Sequence, residues 1–270
     1  DCMLSGQIAF KQTMIGDSHF KKVANVIGLR LEKEYWIHQD TPQYLFIYSE
    51  LLDAKAFGHM KKIIGKTRCG KTYAVERFKK KQPNGTYVIT VSSVHRLNDV
   101  INEICDLIKV GKSGSYVSRM KRITTFMQNK KMNGDKPVLI FDETENMTLP
   151  VLKALKGLYD NIKYVCPIVL VGTPQLEKKL EILEEKDVEG IPQFATRFRA
   201  GYRPIEDINK KETFTPFLNA LVEDENLKVL LYNLANNYGE LNDYLSHALQ
   251  AADRMNEPLT EDLFRQLNNL

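Results

Sequence analysis

The chain has 270 residues, of which 43% are hydrophobic and 27% charged, and its formal net charge is +4. This composition is typical of a globular protein and excludes a disordered or fibrous chain, and the length suffices for one domain of ordinary size and a smaller one. No apolar run is long enough to cross a bilayer, so a membrane-spanning function is not expected, and the net charge is too small to establish a nucleic-acid partner.

The cysteines indicate a reducing compartment. Cys2, Cys69, Cys105 and Cys166 do not have the paired spacing of a zinc site or a disulfide scaffold. The first residues also lack a basic region followed by an apolar one, which a secretion signal has. We therefore expect a cytoplasmic protein without a membrane partner.

Strands and helices alternate in the predicted elements. In chain order we expect helices at 18–31 and 44–57, a strand at 60–64, a helix at 72–82, a strand at 87–91, helices at 96–109 and 115–131, a strand at 138–142, a helix at 149–160, and strands at 168–171 and 200–205. Such alternation predicts an α/β fold with a five-stranded parallel sheet covered by helices on both faces. From residue 210 onward the leucine spacing predicts helices alone. The predicted domains are a helical extension (1–40), the α/β core (41–207) and a small helical lid (208–270).

A phosphate-binding loop is the most specific motif of the chain. Its residues are Gly65, Lys66, Thr67, Arg68, Cys69, Gly70, Lys71 and Thr72, which fit the spacing G-x-x-x-x-G-K-[ST] between a predicted strand and a predicted helix. Glycine allows the backbone N–H groups to turn around phosphate oxygens, and the helix adds the positive end of its dipole. Lys71 can reach the terminal phosphates and the Thr72 hydroxyl can ligate magnesium, so the loop predicts a site for ATP and Mg²⁺.

A second motif consists of an apolar strand that ends in two carboxylates, Asp142 and Glu143. Alone, it is more typical of a surface turn after a core strand. Beside a phosphate-binding loop, it predicts that Asp142 holds magnesium together with Thr72, while Glu143 accepts a proton from the attacking water.

These motifs together resemble the AAA+ ATPases over residues 40–265. The resemblance rests on the loop, the adjacent acids, a strand between them, a polar residue after the fourth strand and the helical tail. It implies that Thr173, in Gly172-Thr173-Pro174, orients the attacking water, although a threonine before proline is as typical of a structural turn. It also implies that Arg197 reaches a neighbouring subunit's nucleotide as an arginine finger, with Arg199 as the alternative and a packing role as the simpler interpretation.

The lid departs from the AAA+ pattern. The third lid helix of such proteins often begins with an arginine that contacts the nucleotide, whereas the corresponding segment here is Tyr238-Gly239-Glu240-Leu241-Asn242-Asp243. Asn242 is the residue of this segment that we expect to contact nucleotide, weakly.

Within the AAA+ ATPases the chain is most similar to transposition ATPases of the MuB and TnsC type. The residues that carry this similarity are 54–72, Asp142 to Asn146, Gly172 to Leu176, and Arg197-Phe198. The resemblance implies a homo-oligomeric ring or helical filament on double-stranded DNA, and a transposase or another recombination protein as the partner.

A basic segment without acids supports a DNA contact. Between Asp106 and Asp135 every charged residue is basic, and we expect Lys112, Arg119, Lys121 and Arg122 to bind DNA phosphates without reading bases. The simpler interpretation is a solvated helix face. Residues 76–81 form a second basic segment, which the dipole at a helix C-terminus also explains. Two further functions remain open: a protein-binding switch, and a replication initiator or helicase loader.

Overall fold

The computed structural model describes residues 8–10, 13–15 and 35–270. The first two segments, β1 (Ile8–Phe10) and β2 (Thr13–Ile15), pair antiparallel. They fall in the segment for which a helical extension was predicted, so that segment is not wholly helical. The helix predicted at 18–31 lies outside the described residues.

The rest of the chain alternates strands and helices and then continues in helices alone. Its elements are α1 (Pro42–Phe57), β3 (Lys61–Ile64), α2 (Lys71–Lys81), β4 (Thr86–Thr90), α3 (Leu97–Leu107), α4 (Tyr116–Met132), β5 (Val138–Asp142), α5 (Leu149–Ile162), β6 (Ile168–Gly172), α6 (Pro174–Glu185), α7 (Ile191–Arg199), β7 (Tyr202–Pro204), α8 (Lys210–Leu221), α9 (Glu225–Leu234), α10 (Tyr238–Met255) and α11 (Glu261–Asn268).

Two of these helices, α6 and α7, are absent from the sequence prediction. Gly172-Thr173-Pro174 was interpreted as the end of a strand, but it is also the start of a helix. Thr173 has the extended backbone of an N-cap residue, with φ −100° and ψ 167°. Pro174 occupies the first helical position, where its missing N–H costs nothing.

The central sheet has five parallel strands in the order β4-β5-β6-β3-β7. Neighbouring side chains along a strand point to opposite faces, and the buried strands divide accordingly. Ile64, Phe141 and Leu170 pack under α3 to α7, whereas Ile63 and Ile140 pack under α1 and α2. The sheet is covered on both faces, which confirms the predicted fold class.

Helices α8 to α11 have a core of their own, in which Phe214, Leu231, Leu245 and Phe264 are fully buried. This agrees with the helix-only pattern predicted after residue 210. The exact division at 40 and 207 stays a prediction.

Strand β3 begins with two buried lysines rather than with apolar residues. Lys61 Nζ lies 2.7 Å from carboxylate oxygens of both Glu50 and Asp53, and Lys62 Nζ lies 2.8 Å from Glu177. Each ammonium group is paired, which a buried charge requires.

Candidate active site

The predicted catalytic motifs meet at one edge of the sheet. In a parallel sheet all carboxyl ends lie on the same side, and β3, β5 and β6 are neighbours. The loop after β3, the acids at the end of β5 and Thr173 after β6 therefore line a single cavity of about 450 Å³. This volume is within the range of ordinary ligand sites.

The phosphate-binding loop is held open by its own lysine. Lys71 Nζ donates to the carbonyls of Gly65 at 2.8 Å and Lys66 at 2.7 Å. Gly70, which immediately precedes α2, has φ +90°. A residue with a side chain would be strained in this backbone conformation. The loop thus presents backbone N–H groups and a helix N-terminus to the cavity.

Six of the eight loop residues line this cavity, namely Thr67 to Thr72. Gly65 instead joins the loop to the end of β6, because its N–H donates to the Gly172 carbonyl at 3.0 Å. The Lys66 side chain is exposed and turned away toward Asp207, 2.6 Å from its ammonium group. For the side chain of Lys66, the structure thus corrects the predicted contact with nucleotide.

Asp142 and Thr72, the two residues predicted to hold magnesium, are in direct contact. The Thr72 hydroxyl donates to the Asp142 carboxylate, which also accepts the Glu143 N–H at 2.9 Å. Asp142 is only 1% exposed, and this burial raises the pKa of its carboxyl, against the lowering effect of these hydrogen bonds and of Lys71. A cation at this point would offset the cost of a buried charge.

Glu143 is exposed and has a left-handed backbone, with φ 55° and ψ 41°. That conformation is uncommon for a residue other than glycine and occurs often at functional sites. Asn146 holds the Glu143 carboxylate at 3.3 Å and donates to the Val91 carbonyl at 2.8 Å. Asn146 therefore connects the acid to Val91, the residue that follows β4.

Thr173 places a buried hydroxyl at the cavity. Thr173 is 7% exposed, and its hydroxyl oxygen is buried without a hydrogen-bond partner within the described part of the chain. The backbone N–H is satisfied by Glu145, whose Oε2 lies 3.1 Å away. A buried hydroxyl usually has a partner, so an oxygen in the cavity fits this position.

The far end of the cavity is aromatic. Tyr44 and Tyr73 line it from the core, and Phe217 and Tyr238 line it from the lid. Trp36 stacks on Phe217, with ring centroids 4.4 Å apart. No sequence motif predicted this end or a role for Glu145, although Trp36 is the only tryptophan of the chain and Glu145 lies in the acidic motif.

Contacts across the cavity join the loop to the lid. Arg68 Nη1 donates to Asp243 of α10 at 2.7 Å. A methyl group on Gly239 would lie 2.7 Å from Arg68 Cδ, so the arginine stem lies directly on the backbone of α10. Asn242 lines the cavity, where nucleotide contact was predicted.

Arg197 lies in α7, outside the residues that line the cavity. Its Nη2 donates to Asp160 at 2.5 Å, and its guanidinium lies 4.9 Å from the Tyr159 ring centroid. The side chain is 22% exposed, compared with 72% for Arg199. In a single chain Arg197 is therefore a packing residue, and a role as a finger requires that it leave Asp160.

The predicted DNA-binding residues differ in availability. Lys121 is exposed, and Lys112 forms an ion pair at 2.9 Å with exposed Asp106. Arg122 donates to the Ser113 carbonyl and so holds the loop before α4.

Arg119 is a correction to this set. It is only 9% exposed, and its guanidinium donates to Asn102 at 2.7 Å and Asn98 at 2.8 Å. The side chain joins α4 to α3 and does not face a ligand surface.

Comparison with known proteins agrees with this geometry. Residues 59–180 match the family model described as AAA domain. The match covers the loop, the acids and Thr173, and with the fold it supports an ATP hydrolase, as the sequence predicted. The comparison with curated proteins gives no significant match.

Solved structures share the fold of this chain. The ORC2 protein of Aeropyrum pernix is 16% identical with a TM-score of 0.60, over 83% of this chain and 65% of that one. The ORC1 protein of Aeropyrum pernix in complex with DNA is 14% identical with a TM-score of 0.57, over 86% and 65%. The RuvB Holliday junction branch migration motor of Thermotoga maritima is 14% identical with a TM-score of 0.52, over 85% and 68%.

The chain thus spans just under two thirds of the length of the ORC structures, and the similarity to transposition ATPases is not among these findings. In the described residues, no helix is both long and apolar enough to span a bilayer.

Proposed function

We propose that this chain is an ATPase that binds duplex DNA in an ATP-dependent manner, assembles on it as a homo-oligomer and delivers it to a transposase or another recombination protein. ATP hydrolysis releases the assembly. The observation that carries the ATPase part is the convergence of Lys71, Asp142 and Thr173 on one cavity.

Each polar group of the cavity has a distinct role in this proposal. Lys71 exchanges its loop carbonyls for phosphate oxygens, and the loop N–H groups bind the remaining charge. Thr72 and Asp142 hold Mg²⁺, which neutralises charge on the phosphates when it is bound. Glu143 accepts a proton from the attacking water, and the Thr173 hydroxyl positions that water.

The duplex DNA contact is assigned to the loop before α4 and to α4 itself. Lys121 is exposed, and Lys112 has only an exposed partner, so both can exchange water or a weak ion pair for a phosphate. Arg122 stabilises the loop by donating a hydrogen bond to the Ser113 carbonyl. These side chains contact phosphates, so we expect binding to be salt-sensitive. The segment contains no base-reading motif, so we also expect binding to tolerate any DNA sequence.

The test measures retention of the purified chain on labelled duplex DNA with ATP, with ADP and without nucleotide, across a salt series. We expect the chain to be retained on DNA with ATP but not with ADP or without nucleotide. Retention of Lys121→Glu should depend less steeply on salt concentration. Lys186→Glu is the matched control, because Lys186 is exposed on another surface, just after α6. Binding that is indifferent to nucleotide and salt would contradict the proposal.

A replication initiator or helicase loader is the second candidate, because the solved structures with this fold include ORC proteins. It predicts stable binding to one helicase or one origin sequence rather than to plain duplex DNA. A protein-binding switch predicts that Lys121→Glu leaves function intact. Competition between a duplex of random sequence and an origin duplex separates the leading proposal from the replication initiator, because only an initiator should prefer the origin sequence.

A further inference from the structure

A basic cavity lies at the edge of the sheet opposite the nucleotide site. The turn after α1, the residues before β5 and the residues before β6 meet there, because all three lead into parallel strands at their amino ends. The cavity has a volume of about 230 Å³. We call it the lysine cavity and define it by Lys55, Lys131, Lys136 and Lys163.

Positive charge is in excess in this cavity. Its lining, as described by the structure, contains the four lysines and no acidic residue. The nearby carboxylate of Asp135 is already paired with Lys130 at 3.0 Å. Like charges that converge in a concave site attract an anion.

One lysine is fixed toward the protein and the others face solvent. Lys55 donates to the Asn84 carbonyl and, at 2.8 Å, to the Thr86 hydroxyl. Burial lowers the pKa of Lys55, because it disfavours the charged ammonium group. A neighbouring anion would offset this cost. Lys131, Lys136 and Lys163 are exposed.

Two exposed aromatic rings also line the lysine cavity. Phe57 is 73% exposed and Tyr164 is 83% exposed, and neither contributes to the cores described above. The ammonium group of Lys163 lies 4.8 Å from the centroid of the Tyr164 ring. Lysines that track phosphates, beside rings on which bases can stack, are the usual surface of a single-strand binding site.

We propose that the lysine cavity binds a single nucleic-acid strand, with phosphates on Lys131, Lys136 and Lys163 and bases against Phe57 and Tyr164. This contact goes beyond the duplex contact at α4 and does not depend on it. It places a second nucleic-acid segment at the sheet edge remote from ATP, as expected for a protein that holds an opened or displaced strand.

The experiment measures binding of a fluorescent oligothymidylate to the full chain by anisotropy over a salt series. Lys136→Glu/Lys163→Glu should weaken binding at least about tenfold at low salt and reduce the salt slope by about 1.4, since each single-strand phosphate contact contributes about 0.7. Tyr164→Ala should weaken it by about tenfold through lost stacking. ATP binding should be unchanged and shows that the variants fold.

The matched control is Lys178→Glu/Lys186→Glu, which makes the same change in net charge at two exposed lysines of and after α6. An equal loss in this control would overturn the proposal. The proposal would also be overturned if Lys121→Glu abolished binding of the single strand while the cavity variants retained it. One surface at α4 would then bind both duplex and single-stranded DNA. Loss of duplex binding alone in Lys121→Glu supports two separate contacts.

Two other polyanions are tested in parallel. Wild-type binding to vesicles that contain phosphatidylserine, without binding to the oligonucleotide, would assign the lysine cavity to a lipid surface and overturn the proposal. Binding of tripolyphosphate that depends on Lys136 and Lys163, again without strand binding, would assign it to a small anion and overturn it as well.

Discussion

At the scale of single residues, the site depends on how two adjacent carboxylates divide their work. Asp142 is buried against Thr72, whereas Glu143 is exposed in a left-handed conformation and is oriented by Asn146. A buried acid suits a cation and an exposed one suits proton transfer to water. The two predictions at this scale separate these roles.

Glu143→Gln should lower ATP turnover by about a hundredfold or more, because it removes the general base, while ATP binding is retained. Steady-state phosphate release and nucleotide titration measure the two effects. Glu181→Gln, at an exposed position of α6, is the control and should be neutral. Unchanged turnover in Glu143→Gln would show that another group accepts the proton.

Asp142→Asn should stabilise the nucleotide-free protein at neutral pH, by a few degrees in Tm, while abolishing the magnesium dependence of ATP binding. Burial raises the pKa of the Asp142 carboxyl above its unfolded value. Its ionised form is therefore penalised in the folded state above the folded pKa, and the penalty disappears as pH falls toward the unfolded pKa. The difference in Tm between variant and wild type should accordingly shrink between neutral pH and about pH 4. A lower Tm for the variant at neutral pH would contradict the burial argument.

At the scale of elements, close backbone contacts fix the strands and the lid. Gly201 lies where β7 meets the residue before β3, and its carbonyl accepts the Lys62 N–H at 2.8 Å. A methyl group there would lie 2.0 Å from the Met60 carbonyl oxygen, which is backbone and cannot move aside.

Gly201→Ala should therefore reduce the free energy of unfolding by roughly 2–4 kcal/mol, the range of severe strain and packing defects. Chemical denaturation measures it. Gly111→Ala is the matched control, because nothing lies within 4 Å of a methyl group at that position. Similar small effects at both positions would mean that β3 and β7 separate readily.

The contact of Arg68 with Asp243 joins the phosphate-binding loop to the lid. With these side chains 48% and 58% exposed, the ion pair itself should contribute less than about 1 kcal/mol to stability. Its effect should appear in nucleotide affinity, because the lid also lines the cavity. Asp243→Asn should weaken ATP binding about threefold while changing Tm little, and in an Arg68→Ala background it should have no further effect. Additive effects of the two changes would show that they act separately.

At the scale of the whole molecule, the arginine finger predicted from the sequence requires a second copy of the chain. Arg197 is held by Asp160 and Tyr159 within its own chain. Assembly must therefore release this contact before the guanidinium can reach a neighbouring nucleotide.

Mixing Arg197→Ala subunits with Lys71→Ala subunits should restore part of the turnover that each lacks, since some interfaces then combine an intact loop with an intact arginine. Phosphate release as a function of mixing ratio measures this. The same mixture with Arg199→Ala in place of Arg197→Ala tests the alternative finger. If neither mixture recovers activity, the site is completed within one chain.

Most of the fold could be predicted from the sequence because its signals are local. The alternation of buried strands with helices, and the αL conformation of Gly58 that ends α1, follow from residue types and spacing. Helices α6 and α7 were not predicted, because Thr173-Pro174 ends a strand and begins a helix at the same point. The N-terminal strands were not predicted either.

The amino-acid sequence by itself determined the loop, the adjacent acids and the parallel sheet whose shared edge brings them together, since backbone freedom and strand periodicity are local properties. Only the tertiary structure decided which charges are available. Arg119, Arg197 and Lys121 are all basic residues in predicted binding segments, yet two are held by Asn102 and Asp160 from other helices while Lys121 faces solvent. A side chain's partners come from distant parts of the chain, so its freedom to bind a ligand is settled by packing.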